Sequence, residues 1–491
     1  MSAQDFKGRT ENPKKGGCQM KKRASISLIL ILVLTMALAA CSGGSGLGTG
    51  TPEPADPKAE APSNDNKGQT DAPPAQEVVT ADPNNFVPAL ATDTQGEVTV
   101  WAAWPLESWI GMFNSQYPNV KVNLVVMDEI EGKLKTALAA GSGAPDIAFL
   151  DGGLMGNYNT VDGFEDLLLP PYNAGIYEDF FPPSVWQRFK SLDGQKLISI
   201  ATDTAPAVTF YRVDILEENG FPTDPAELGE YIANADNFIN MAKTLQAQGK
   251  YLIQWDTEPL SIYTFGIGFF NRKLEWQRNT PQFADGLDLS KRFKQEKLAS
   301  NIDFWSDEGT QALASGKTAM TFLGNWGVDE IRNKAPDTEG KWRATHLPFG
   351  AYGGWGGASL GITTQSKNKP LAWEFIRLIL LNNVFANKEN IQYGGTPAFL
   401  PAYDLLESVE TPNVFLGGQK TGKMYMEMIQ KIPESISTPL DVKAQEIWDK
   451  GIQEALEKNI DSKTALQNIQ DEVERVLGPD IAALKQQLGI Q

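Results

Sequence analysis

The sequence predicts an α/β protein with two domains, and three observations support this fold class. Short apolar runs alternate with segments whose apolar residues recur at helical spacing, the pattern of a parallel sheet flanked by helices. The folded part begins near residue 97 and holds about 395 residues, more than a single hydrophobic core normally supports. The two cysteines, Cys18 and Cys41, precede this part, so packing without disulfides must stabilise it.

Residues 1–40 are predicted to be an export signal. A basic group at 20–23 precedes an apolar run at 26–38, which is shorter than the about 20 residues of a membrane span. The Leu-Ala-Ala-Cys quartet that ends at Cys41 resembles a bacterial lipobox, in which the cysteine is acylated, for example with palmitate. We therefore expect Cys41 to anchor the protein at the extracytoplasmic face of the cell membrane, with an ordinary cleavage site as the alternative. Met20 is an alternative start of the chain, because the residues before it have no targeting pattern.

Residues 41–96 are predicted to be a lipid-anchored, disordered linker. They are rich in Gly, Ser, Pro, Ala, Asp and Thr and contain scarcely an aromatic residue. Such a composition cannot bury enough apolar surface to offset the entropy of ordering the chain. The linker would let the folded domain stand away from the membrane.

The charge and composition exclude several classes of function. The chain has 43 Lys+Arg and 61 Asp+Glu, a net charge of −18, and loss of residues 1–40 would leave about −23, so nucleic acid is not expected as a partner. His346 is the single histidine, which leaves zinc sites and Ser-His-Asp or Cys-His catalysis without residues. No calcium-loop pattern occurs, so we expect neither a metal nor a cofactor.

The elements of the first domain follow one another from residue 97. The predicted order is strand 97–101, helical spacing at 109–113, strand 118–126, helix 131–140 and strand 147–150. Ligands of such sheets collect at the carboxyl ends of the strands, which is where Trp104 and Asp151 lie. At the other end of the chain, 464–488 is predicted to be a long amphipathic helix.

Segments spread over residues 97–455 match one protein family in their order. They are 98–101 (Val-Thr-Val-Trp), 117–122 (Tyr-Pro-Asn-Val-Lys-Val), 141–147 (Gly-Ser-Gly-Ala-Pro-Asp-Ile), 210–216, 314–320, 325–326 and 361–376. Together they resemble the extracellular solute-binding proteins of sugar ABC importers, the family that includes maltose-binding protein.

The resemblance implies a two-lobed periplasmic-binding-protein-like fold of type II. Each lobe would be a mostly parallel sheet flanked by helices, and two or three crossovers would form a hinge between the lobes. We place lobe one at 97–204 plus 357–400 and lobe two at 205–356 plus 401–491. The implied function is that of a monomeric binding protein, not an enzyme, which captures a carbohydrate and hands it to the transmembrane subunits of an ABC permease.

Tryptophans on loops are the candidates for stacking on the faces of a sugar. Trp355 lies in a glycine-rich loop at 350–358, which offers no helix or strand to bury it. Trp326 follows an apolar strand and matches a cleft tryptophan of the maltose-binding relatives. Trp104 follows the first strand, although the residues around it replace the charged sugar-binding residues of maltose-binding protein, so maltose itself is not expected. The alternative for each ring is ordinary packing.

Carboxylates are the candidates for binding the hydroxyls of a sugar. Asp151 ends the third strand, and Asp203 directly precedes the predicted crossover strand, where a turn or cap role is its alternative. Glu258 lies in a Glu-Pro pair that matches a cleft position of the maltose-binding relatives. The remaining candidates are Trp255, Tyr263, Asn325 and Tyr393.

Two other functions fit parts of the same pattern. The acidic body and the aromatic residues would suit a polyamine or another cationic solute on the same fold. Asp151 and Glu258 would also suit an exported glycoside hydrolase, as its acid and base pair.

Overall fold

The computed structural model describes residues 81–127 and 129–490. The predicted export signal, Cys41 and the linker as far as residue 80 lie outside these residues. None of the helices described is both long enough and apolar enough to span a membrane.

The described part of the chain contains eight strands and sixteen α-helices, joined by loops and six short 3-10 helices. The strands are β1 (Gly96–Ala102), β2 (Val120–Val126), β3 (Ile147–Asp151), β4 (Ile200–Ala201), β5 (Ala207–Arg212), β6 (Met320–Gly324), β7 (Trp342–Thr345) and β8 (Ala358–Ile362). The helices are α1 (Glu107–Gln116), α2 (Ile130–Ala139), α3 (Pro183–Arg188), α4 (Val213–Glu218), α5 (Pro225–Ile232), α6 (Ala235–Gln246), α7 (Glu258–Ser261), α8 (Pro281–Glu296), α9 (Asp307–Ser315), α10 (Gly327–Lys334), α11 (Lys369–Leu380), α12 (Ala386–Gln392), α13 (Leu406–Val409), α14 (Gly422–Ile429), α15 (Asp441–Lys458) and α16 (Ser462–Leu488).

Two separate sheets confirm the two-lobed α/β fold. The sheet of the first lobe has the order β2-β1-β3-β8-β4, and the sheet of the second lobe has the order β6-β5-β7. Helices and loops pack around each sheet, and each sheet contributes to its own buried apolar clusters. The strands and helices predicted between residues 97 and 150 are confirmed within about two residues, apart from α1, which extends beyond the predicted spacing at both ends.

The prediction that each sheet is mostly parallel is wrong for the way the strands pair in the second lobe. In the first lobe β1 pairs in parallel with β2 and β3, but β8 pairs antiparallel with both β3 and β4. In the second lobe β5 pairs antiparallel with β6 and β7. One reversed strand in each sheet accounts for all of these antiparallel pairs.

The reversed strands, β5 and β8, are the first strands that the chain forms after it crosses from one lobe into the other. The strands β1, β3, β4 and β6 run toward the junction of the lobes, so their carboxyl ends meet there. By contrast, β5 and β8 begin at the junction and run away from it, because each directly follows a crossover. A strand that begins at the junction runs opposite to neighbours that run toward the junction, so it pairs antiparallel with them.

Three extended segments form a ribbon at the junction, and they correspond to the predicted crossovers. The first, 202–206, lies between the other two, which are 353–357 and 396–398. The amide of Trp355 donates to the Ala205 carbonyl at 2.9 Å on one side. On the other side, the amide of residue 204 donates to the carbonyl of residue 396 at 3.0 Å. The hinge is therefore hydrogen-bonded along its length.

The C-terminal helices form a third apolar cluster with α8. The amphipathic helix predicted at 464–488 is confirmed as α16, which buries a stripe of Ala465, Ile469, Val473 and Leu477 against this cluster. The stripe lies toward α15 and α8, with which α16 makes most of its contacts. These helices therefore pack on α8 of the second lobe.

Residues 81–95 contradict the predicted end of the disordered linker. Phe86 and Leu90 pack against the core of the first lobe, and the Phe86 ring lies 6.2 Å from that of Phe385. The buried carboxylate of Glu374 accepts the amide of Ala89 at 2.8 Å. These contacts order the segment, although its composition resembles that of the residues before it.

Candidate functional site

Four aromatic rings lie in a continuous row in and beside the second lobe. In order they are Trp305, Trp326, Trp355 and Phe265, and the successive ring centroids are 6.4, 5.6 and 5.5 Å apart. We call this set the aromatic row. Trp305 is 51% exposed and Trp355 is 37% exposed, so the row offers apolar ring surface to solvent. Several large rings exposed next to one another indicate a binding surface, since rings that only packed the core would be buried.

Local structure explains why the row holds its shape. Trp326 directly follows β6, and its indole N–H donates to the backbone carbonyl of Trp355 at 2.8 Å. Trp355 stacks on Phe265 with 27° between the rings. A side chain at Gly353 would clash with the backbone of Phe265, because its Cβ would lie 2.2 Å from the carbonyl carbon. The glycines of this crossover therefore allow the close approach that places Trp355 on Phe265.

Two of the predicted site residues lie at the carboxyl ends of neighbouring strands in the first sheet. The ring of Trp104, just after β1, packs edge-on against Phe149 of β3 at 4.1 Å and remains 45% exposed. Asp151 ends β3, and its carboxylate accepts the amide of Gly153 at 2.7 Å. The carboxyl ends of these adjacent strands thus present a ring and an acid at the junction of the lobes, as expected for a parallel pair.

Asp203 and Asp151 flank a buried arginine that the sequence did not indicate. Asp151 is opposite Ala358 in the strand register, and Asp203 accepts the amide of Ala358 at 3.0 Å. The guanidinium of Arg188, from α3, lies near both acids and donates to the carbonyl of Gly356 at 3.3 Å. Burial raises the pKa of both aspartates and lowers that of Arg188, while the opposite charges counteract these shifts.

The Arg188 cluster connects the two parts of the site. Arg188 belongs to the first lobe, whereas its acceptor, Gly356, follows Trp355 in the crossover. The first-lobe acids and the aromatic row therefore meet at this one segment. Together they offer flat apolar surface beside carboxylates and a guanidinium, groups that suit a ligand with apolar faces and many hydroxyls.

Glu258 is placed differently from the other predicted acids. At the start of α7, its carboxylate accepts the amides of Gln254 and Trp255 at 2.9 and 3.3 Å, so it is engaged by its own loop. Burial raises its pKa to about 8. Gln254 in turn accepts the amide of Phe304 at 2.7 Å. Glu258 thus braces the loop that carries Trp305.

Tyr263 packs inside the second lobe. Its ring lies 6.1 Å from that of Phe283 and 6.2 Å from that of Phe349, and it contacts two apolar clusters. Trp255 is half-buried in the loop next to Glu258. The structure therefore brings Trp326 and Trp355 together, and Asp151 and Asp203 together, but leaves Tyr263 in a packing position.

Sequence reasoning missed Trp305, Phe265 and Arg188. Trp305 lies on a loop just before Ser306, the N-cap of α9, so the search for tryptophans on loops could have found it. Phe265 has no such signal, because its role depends on a crossover nearly ninety residues later in the chain. Arg188 lies in a helical segment whose burial depends on the fold.

Comparisons with known proteins agree with this architecture. The family of bacterial extracellular solute-binding proteins matches residues 108–415. An arabinooligosaccharide-binding protein of Halalkalibacterium halodurans is 25% identical over 291 residues, which cover 55% of this chain and 63% of that protein. The chain thus spans less than two thirds of this curated relative.

Solved structures show the same fold. The crystal structure of an extracellular solute-binding protein of family 1 has a TM-score of 0.65 at 20% identity, covering 77% of this chain and 99% of that one. The binding protein from B. animalis subsp. lactis Bl-04, solved in complex with β-1,6-galactobiose, has a TM-score of 0.59 at 22% identity and covers 77% of this chain and 97% of that one.

Proposed function

The chain belongs to the bacterial extracellular solute-binding proteins, and on that premise we propose that it captures an oligosaccharide between its lobes for delivery to an ABC permease. It binds the sugar without covalent chemistry. Ligand binding draws the two lobes together about the crossover ribbon and shifts the population toward a closed form. The closed form would present a surface made of both lobes to the permease.

The aromatic row is the observation that carries this proposal. The exposed parts of Trp305 and Trp355, with Trp326 between them, extend over more surface than a single small solute would cover, as an oligosaccharide site requires. Asp151, at the exposed end of β3, supplies acceptors for hydroxyl groups, and the buried Arg188 holds the crossover beside it. The ligands named for the relatives, an arabinooligosaccharide and β-1,6-galactobiose, support the same class of ligand.

We further propose that Cys41 carries a lipid that holds the protein at the outer face of the membrane. The lipobox-like quartet supports this anchor, and the family is extracellular. The chain between the lipid and residue 81 would act as the tether. Replacing Cys41 by serine should move the protein from the membrane fraction to the soluble fraction, and an unchanged distribution would contradict the anchor.

The charges of the site favour a neutral sugar over a polyamine. A dication beside Asp151 and Asp203 would also approach the buried guanidinium of Arg188, which repels it. For a glycoside hydrolase, Glu258 would have to leave the two amides of its own loop. These contacts support binding rather than cleavage.

Thermal unfolding in the presence of candidate solutes tests the proposal. The panel should contain arabino-, galacto- and malto-oligosaccharides of two to six units, together with spermidine and putrescine. A ligand at about 100 times its dissociation constant adds about 2.7 kcal/mol to the free energy of unfolding. Stabilisation by a polyamine and by none of the sugars would overturn the carbohydrate proposal, and release of reducing ends would overturn the non-enzymatic one.

A further inference from the structure

A cavity of about 530 Å³ adjoins the aromatic row at Trp326. Its lining includes Asn325, Trp326 and Arg332 from the second lobe, Tyr393 from the end of α12, and Val414. We call it the side cavity. Its volume is within the range of about 300–1,000 Å³ that is typical of small-molecule sites. Three other cavities of about 510 to 840 Å³ are found among the described residues: one between α15 and α16, one lined by 266–282 and 433–436, and one beside α2. None of these three is lined by a tryptophan of the row.

The walls of the side cavity resemble those of the main site in their chemistry. Tyr393 is 70% exposed, although tyrosine usually buries most of its ring, and it contributes to none of the apolar clusters of the described chain. Asn325 follows β6 and lies beside Trp326. Asp329 and Arg332 form an ion pair at 2.5 Å, and Arg332 also lies over the ring of Phe415 at 5.6 Å.

The side cavity lies between an element that packs on the first lobe and elements of the second lobe. Tyr393 ends α12, whose first residue, Ala386, packs in the core of the first lobe. Asn325 and Arg332 belong to the second lobe, at the end of β6 and on α10. Closure of the lobes would therefore change the shape of this cavity together with that of the main cleft.

We propose that the side cavity binds one further unit of an oligosaccharide whose other units lie on the aromatic row. Trp326 belongs to both surfaces, so the cavity is the neighbouring place for the next unit of a chain that rests on the row. The exposed ring of Tyr393 would cover one face of the added unit, while Asn325 and the Asp329–Arg332 pair would meet its hydroxyls. The side cavity thereby makes affinity depend on ligand length. This inference rests on the proposed function.

Titration calorimetry with arabino-, galacto- and malto-oligosaccharides of two to six units tests the inference. Tyr393→Ala should weaken the binding of the longer members of the best-bound series about tenfold and leave its disaccharide unchanged. Trp355→Ala should weaken every member of that series. Val442→Ala, a change at an exposed position on α15, is the matched control and should change neither.

A second variant tests the cavity without removing a ring. Val414 is 66% exposed at the wall of the cavity, so Val414→Trp should fill space with little effect on folding. In this variant, lengthening the ligand should no longer increase the affinity. If both variants bind all lengths as the parent does, or lose affinity equally for all lengths, the side cavity is not a sugar site. If the parent binds no sugar of the panel, the proposed function itself fails.

Discussion

At the scale of single residues, the site combines aromatic rings that solvent can reach with a guanidinium that it can scarcely reach. Trp355 and Trp305 keep a third to a half of their surface exposed, whereas Arg188 is 9% exposed. Exposed rings contribute little to folding and are free to bind. A buried guanidinium between two acids fixes the crossover, because it must satisfy its charge locally.

Trp355→Ala is expected to weaken oligosaccharide binding by about 2 kcal/mol or more, as for an aromatic anchor at a desolvated site. The free energy of unfolding should change by less than about 1 kcal/mol, since the indole is already partly exposed and the backbone bond to Ala205 remains. Calorimetry and denaturant unfolding measure the two quantities.

Trp342 provides the contrast for this prediction. It is fully buried, so Trp342→Ala should cost about 3–5 kcal/mol of stability. If Trp355→Ala behaves like Trp342→Ala, with a large loss of stability and unchanged affinity, Trp355 belongs to the core and not to the site.

Glu258→Gln is expected to flatten the pH dependence of stability. The raised pKa of Glu258, about 8, means that between about pH 4.5 and 8 the folded protein holds a proton that the unfolded chain releases. The free energy of unfolding therefore falls as the pH rises through this range. Glutamine keeps an acceptor for the amides of Gln254 and Trp255 without the charge.

Denaturant midpoints at pH 5 and pH 8 check this prediction. Between pH 5 and pH 8 the denaturant midpoint of Glu258→Gln should fall less than that of the parent protein. The midpoint of Glu230→Gln, a change at an exposed position on α5, should fall as much as that of the parent. Equal slopes in all three proteins would show that Glu258 titrates at its usual pH.

At the scale of elements, the sequence was informative about single strands and helices but not about contacts between distant ones. The alternation of apolar runs was sufficient to place β1, β2 and β3. The direction of β5 and β8 could not be read from it, because apolar runs of either direction look alike. Phe86 and Leu90 were overlooked because their burial depends on α11, which lies almost three hundred residues later.

A chain that begins at residue 97 should be less stable than one that begins at residue 81, by about 1–3 kcal/mol. The shorter chain loses the amide of Ala89 from the buried Glu374, and it also exposes the surface that Phe86 covers. Denaturant unfolding of both chains measures the difference. Coincident unfolding curves would show that residues 81–96 add nothing to the first lobe.

At the scale of the whole molecule, both halves of the site depend on one ribbon. The first-lobe acids, the Arg188 guanidinium and Trp355 all lie at or beside the crossovers. Sequence reasoning could identify most of these residues individually, from strand ends and glycine-rich loops. It could not show that they meet, since that depends on three crossovers from distant parts of the chain.

Saturating oligosaccharide is expected to lower the radius of gyration measured by small-angle X-ray scattering, because the lobes close on the ligand. The double variant Trp326→Ala, Trp355→Ala at the same sugar concentration should keep the radius of the unliganded protein. A parent protein whose radius is the same with and without bound sugar would contradict lobe closure.

The position of Trp355 on a crossover has a kinetic consequence. Because the ring proposed to bind the ligand lies on the crossover segment itself, release of a sugar from Trp355 would be coupled to movement of the hinge. The dissociation rate constant would then reflect how often the protein reopens rather than how strongly each ring holds its sugar unit. Residence time could be tuned by the glycines of residues 353–357 while the binding surface stays unchanged.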